Sequence, residues 1–95
     1  MSKKVAVLIK DKERQYEGLR SSLGLLLEFH IVSMFVLNHE IEMSEEYQDN
    51  MEFIDEMEGT RYSNVTANVE KYGFSPVTLD EVAAKIIECD LIIPY

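Results

Sequence analysis

A chain of 95 residues suits one domain, residues 1–95, and its apolar fraction of 46% is enough for a single core, so a disordered chain is excluded. A net charge of −9 argues against nonspecific attraction to nucleic acid or anionic lipid, both of which need a surplus of Lys and Arg. The single cysteine, Cys89, excludes an intrachain disulfide and a cysteine-rich metal site.

The opening Met-Ser-Lys-Lys leads into Val5 to Lys10, a run too short for a signal-peptide core or a membrane span. A cytoplasmic protein is therefore expected, with no membrane partner. Charge is unevenly placed along the chain. Residues 1 to 20 carry six basic side chains and three acids, whereas Glu40 to Glu58 carries nine acids and no base.

Val5 to Lys10 reads as a strand, and its unbroken apolar run is what a parallel strand shows when helices cover both faces. Asp11 to Arg14 is a charged turn. Gln15 to Phe29 follows as a helix, with Tyr16, Leu19, Leu23, Leu26 and Leu27 recurring at helical spacing. Gly18 and Gly24 each cost this helix about 1 kcal/mol relative to Ala, which marks them as points where a neighbour, the sheet or another subunit, comes close. His30 closes the helix as a C-terminal cap, and Ile31 to Leu37 is the second strand. Strand, helix and strand together are the βαβ unit, with parallel pairing and a right-handed crossover.

Ser44 can cap a second helix whose first turn, Glu45 and Glu46, suits the positive end of the dipole. Its inner stripe is Tyr47, Met51, Ile54 and Met57 or Glu58, and Gly59 is placed to stop it. Thr60 to Val65 reads as a brief strand and a turn, Thr66 to Tyr72 as one or two helical turns stopped by Gly73, and Phe74 to Val77 as a connection. Thr78 and Glu81 have the spacing of a capping box, opening a third long helix with the stripe Leu79, Val82, Ala83, Ile86 and Ile87. Leu91 to Ile93 is a last strand, and Pro94 removes a ladder donor, as at a sheet edge. The alternation predicts a three-layer α/β sandwich with a mostly parallel sheet of about four strands.

In such sheets, ligands sit outside the carboxyl ends of the strands. That rule assembles a candidate small-ligand site from Lys10, Asp11, Arg14, Asn38, His39 and Asn64, with the basic residues suited to an anion. The turn at Lys10 to Arg14 lacks the glycines of a phosphate loop. His39 could move protons near neutral pH, but no serine or cysteine nucleophile stands with it. The acidic run from Glu40 to Glu58 lacks the spacing of a calcium loop and reads as a solvated helix face, or as a docking surface for a basic partner. Met34, Phe35, Met43, Met51, Phe53 and Met57 could line a flavin-like pocket, and core filling is the more economical reading. Neither a metal nor a cofactor is expected. Cys89 stands between Glu88 and Asp90 near a helix C-terminus, all of which disfavour a thiolate.

The run Val5 to Ile9, the helix from Tyr16 to Leu27, the strand Val32 to Leu37 and the tail from Lys71-Tyr72-Gly73-Phe74 to Asp90-Leu91-Ile92-Ile93 together resemble the DsrE/DsrF/DsrH-like sulfur-relay family. The resemblance implies a flavodoxin-like sheet, a cytoplasmic setting and assembly into homo- or hetero-oligomers. It also implies a persulfide-carrying cysteine after the third strand, before a glycine that looks like Gly73. Asn64 to Tyr72 contains no cysteine, and Cys89 lies well beyond it. The expected function is therefore a non-catalytic structural, regulatory or small-anion-binding domain. The alternatives are a sulfur carrier using Cys89 and an acidic docking module.

Overall fold

The computed structural model describes residues 2–95. In chain order it contains β1 (Lys4–Ile9), a single 3-10 turn (Lys12–Arg14), α1 (Gln15–Leu27), β2 (Ile31–Val36), α2 (Glu45–Glu56), β3 (Thr60–Ser63), α3 (Thr66–Tyr72), β4 (Ser75–Pro76), α4 (Leu79–Ile87) and β5 (Leu91–Pro94). The sheet has five strands in the order β4-β3-β2-β1-β5, all parallel. The fifth strand is β4, where the sequence reads as a connection. Two residues are too short for any hydrophobic period, and only pairing with Tyr62 and Ser63 makes them a strand.

Strand order fixes which helix covers which face. From β1 to β4 each crossover steps one place in the same direction, whereas β5 returns to the far side of β1. Right-handed crossovers then put α1, α2 and α3 on one face and α4 alone on the other. The burial pattern agrees. Val5, Val7 and Ile9 alternate with Ala6 and Leu8 along β1, the first set packing with Leu19, Leu26, Met51 and Ile54, the second with Val82 and Ile86.

Local chemistry accounts for the helix boundaries. Ser44 accepts from Tyr47 N–H at 3.1 Å, and Thr78 and Glu81 form the complete capping box. Helix α1 stops at Leu27, before Phe29, through a Schellman turn in which the N–H groups of Phe29 and His30 donate to the Leu26 and Leu25 carbonyls. His30 thus caps through its backbone, while its ring accepts the Lys3 N–H at 3.1 Å. Helix α2 ends in the same way: Glu58, at φ 65°, takes the left-handed position expected of Gly59. Gly59 serves packing instead, since a Cβ there would meet Leu26 Cδ1 at 2.8 Å. Gly73, at φ 72°, does stop α3.

Gly18 lets α1 sit on β1, because a Cβ would stand 2.4 Å from Ile9 Cγ1. Among the described residues, a Cβ at Gly24 would meet nothing within 4 Å. The apolar stripes are also narrower than their spacing suggests. Leu27 is exposed on α1, and on α4 only Val82 is buried and Ile86 partly so, while Leu79, Ala83 and Ile87 face outward. A nine-residue helix crossing a sheet seats one line of side chains, and Leu79, Ala83 and Ile87 form a separate line at i, i+4 and i+8. Met34, Phe35 and Met51 are core residues, whereas Phe53 is exposed.

Candidate functional site

The order of strands reverses between β1 and β5, which makes the carboxyl ends of these two strands the switch point where α/β sheets form a ligand crevice. Here that position is filled from within. The Lys10 and Asp11 N–H groups donate to the Tyr95 carbonyl at 2.9 and 3.3 Å, and Tyr95 N–H donates to the Leu8 carbonyl at 2.6 Å. Both backbone groups of Tyr95 thus face β1, and the N–H that Pro94 lacks belongs to the outer side of β5. The Arg14 guanidinium lies 4.9 Å from the centre of the Tyr95 ring and pairs with Glu17 at 3.0 Å, and the Tyr95 hydroxyl meets that of Ser21. Asp11 accepts the Glu13 N–H at 2.9 Å, capping the 3-10 turn. A shallow hollow beside these groups is lined by Arg14, Glu17, Arg20, Ser21 and Tyr95.

A second group forms at the ends of β2 and β3. Asn38, in the left-handed region at φ 67°, donates its N–H to Asn64 Oδ1 at 2.8 Å, and Asn64 Nδ2 donates to Asn38 Oδ1 at 2.8 Å. His39 Nδ1 lies 3.1 Å from the Leu37 carbonyl, and its buried Nε2 has no partner. Behind them stands Asn68, fully buried on α3. Its Oδ1 accepts from Ile41 N–H at 2.9 Å, and its Nδ2 donates to the His39 carbonyl at 2.9 Å and to Ser63 Oγ at 3.0 Å. One amide thereby fixes the loop after β2 against β3. Lys71 reaches Glu40 at 3.4 Å across the same loop.

The six residues therefore fall into two groups, Lys10, Asp11 and Arg14 around Tyr95, and Asn38, His39 and Asn64 around the β2 and β3 ends. Arg14 lines one hollow and Asn64 another, the latter shared with Ser63, Thr66 and Val77. Asn68 and Tyr95, which organise the two groups, are not singled out by sequence reasoning. A signal for Asn68 does exist, because an asparagine inside a short helical segment competes with its own backbone unless something else engages its amide.

Cys89 lies at the opposite, amino end of the sheet, since Asp90 N–H donates to the Lys4 carbonyl at 2.8 Å. It is half-buried beside a hollow of about 210 Å³ lined by Lys4, Ser33, Tyr62, Lys85 and Glu88. Its Sγ donates to the Lys85 carbonyl at 3.6 Å. Burial pushes the thiol pKa up, Asp90 and Glu88 push it the same way, and Lys4 opposes them. Among the described residues no group of three or more His, Cys, Asp or Glu side chains is arranged to hold a metal ion, and no helix is long and apolar enough to cross a membrane. Compared with known proteins, the chain matches no family model, no curated protein and no solved structure.

Proposed function

We propose that this chain is a non-catalytic DsrE-like α/β domain that serves as a structural or regulatory subunit of an oligomer in the cytoplasm. The observation that carries the reading is the state of the carboxyl edge, where the polar side chains engage the protein itself. Asn38 and Asn64 bond to each other, Asn68 holds the loop between them, and Tyr95 occupies the switch point. A small-anion site on Lys10 and Arg14 is the weaker version, because Arg14 already holds Glu17 and the Tyr95 ring.

Sheet topology supports the family reading only at the level of architecture. Flavodoxin-like sheets run 2-1-3-4-5, with β1 second from one edge. In this chain β1 is also second from the edge, but the strand outside it is the last one in sequence. The segment where active relatives would carry a persulfide, α3 up to Gly73, has no cysteine. Cys89 has a raised thiol pKa and sits at the end of the sheet away from the switch point.

Incubating the full chain with a polysulfide donor at neutral pH and measuring intact mass tests this directly. The expected result is an unmodified chain. An added sulfur atom that disappears in Cys89→Ser overturns the non-catalytic reading.

A further inference from the structure

Alternation along the strands puts one set of side chains on the α4 face of the sheet: Lys4 on β1, Ile31, Ser33 and Phe35 on β2, and Thr60 and Tyr62 on β3. Helix α4 covers only part of this set. It packs on the sheet through Val82 and Ile86 and leaves a gap between its last turn and the amino halves of the three strands, where Ile31 is 57% exposed. That gap is the hollow of about 210 Å³ beside Cys89, at the end of the sheet away from the switch point.

The hollow differs in charge from the rest of the molecule. Lys4 and Lys85 border it with Glu88 as the one acid, a local surplus of positive charge in a chain of net charge −9. Neither lysine is in an ion pair among the described residues. Lys85 is half-buried, and its ammonium is held 4.8 Å from the centre of the Tyr62 ring. It also answers the negative end of α4, yet the carbonyls there are already engaged. The Lys85 carbonyl accepts Glu88 N–H at 3.2 Å and Cys89 Sγ at 3.6 Å, and the Ile86 carbonyl accepts Cys89 N–H at 3.1 Å. Asp90, the next acid along the chain, accepts the Lys4 N–H at 2.9 Å. Ser33 adds a donor, because its Oγ accepts from Thr60 Oγ1 at 2.9 Å and no described acceptor takes its own proton.

We propose that this hollow binds a small aromatic carboxylate of the size of benzoate, its carboxylate toward Lys4 and Lys85 and its ring against Ile31 and Tyr62. The site goes beyond the subunit reading and does not depend on it. Volume sets the size. A cavity of about 150 Å³ holds benzene, so this one admits a single ring with one carboxylate, well short of the roughly 300 Å³ or more that larger ligands occupy. Charge and floor set the chemistry. Phe35 and Tyr62 stack with 5.1 Å between ring centres, giving the hollow an apolar floor that a compact oxyanion such as phosphate leaves unused. A neutral ring uses the floor but leaves both lysines without a counter-ion.

Size also limits the strength. A ligand of one ring and one carboxylate, in an open hollow with Glu88 opposing it, is expected to bind with a Kd on the order of 1 mM. Screening acts over about 8 Å at physiological salt, so the two lysines at the hollow outweigh the acids of α2 on the opposite face of the sheet.

Amide shifts in two-dimensional NMR of the full chain, titrated with benzoate at constant ionic strength, test the proposal. Resonances of Lys4, Ser33, Tyr62 and residues 85–89 should move and saturate in the low millimolar range, while residues 38–41 and 63–66 stay in place. Lys85→Met, which keeps the apolar stem, should weaken binding at least about threefold, whereas Lys12→Met, at the carboxyl end of the sheet, removes the same charge without effect. Glu88→Gln should tighten binding about two- to threefold, a gain that no loss of structure can mimic, and it decides the matter if Lys85→Met does not fold. Benzyl alcohol and inorganic phosphate should each bind at least about fivefold more weakly than benzoate. Shifts that do not saturate, shifts centred on Arg14 and Tyr95, a control ligand that matches benzoate, or a Glu88→Gln chain that binds no more tightly would each overturn the proposal.

Discussion

On the face of the sheet that carries α1, α2 and α3, thirteen residues form the buried cluster; on the face that carries α4, five do. Polar links reinforce the first face as well. The Tyr16 hydroxyl donates to Glu46 and accepts from Asn50, Gln15 bonds the Glu42 backbone in both directions, and Arg61 grips Asp55 with two bonds of 2.8 Å. The second face has Phe35 stacked on Tyr62 and the Lys85 ammonium over the same ring, but leaves Ile31 and Ile92 part-exposed. Both faces are drawn from the same strands. The difference follows from topology, because one return crossover puts one short helix where the other face has three. A sheet built this way holds its stability on one side and has surface to offer on the other.

The largest expected effect tests that asymmetry. Leu19→Ala, in the closed face, should cost about 3 kcal/mol in denaturant unfolding, whereas Ile86→Ala, under the single helix, should cost about 1 kcal/mol. Equal losses would mean that the two faces contribute alike. Next comes Asn68→Ala, which strands the Ile41 N–H and the His39 carbonyl together, at a cost of about 2 kcal/mol or more. Faster amide exchange confined to residues 37–43 should accompany it.

The paired glycines of α1 give opposite signs. Gly18→Ala should destabilise by about 1–3 kcal/mol through the clash with Ile9, while Gly24→Ala, with open space around it, should stabilise by roughly 0.5–1 kcal/mol. A loss at Gly24 would place another molecule against that helix.

The smallest effect concerns a flaw in the closed face. The Tyr47 hydroxyl is buried without a partner, and burial raises its pKa well above the ordinary tyrosine value of 10.0. Because the raised value belongs to the folded state, Tyr47 favours folding fully below pH 10 and loses that contribution progressively above it, with a slope of at most about 1.4 kcal/mol per pH unit. Tyr47→Phe should be neutral or stabilising by up to about 1 kcal/mol at pH 7, and should flatten the alkaline decline. An unchanged alkaline slope in the variant would remove Tyr47 as its cause.

Much of the closed face is legible from the chain. Val5 to Ile9, the Tyr47-Met51-Ile54 stripe and the Ser44 cap each carry a local pattern that tertiary structure has no reason to override. The open face is less legible. Leu79, Ala83 and Ile87 have the spacing of a buried stripe, and only tertiary packing puts Val82 inward in their place. At the candidate site the same limit applies. Alternation places Asn38 and Asn64 at strand ends, but whether two amides face a ligand or one another depends on the spacing of β2 and β3. Tyr95 closes the switch point through a backbone carbonyl, a group with no sequence signature at all.

Native-state hydrogen exchange of the full chain tests the asymmetry between the two faces most directly. Amides in α1 and α2 should exchange only with global unfolding, while those in α4 should exchange through local openings of lower free energy. Equal protection of α4 and α1, or lower protection in α2 than in α4, would contradict it.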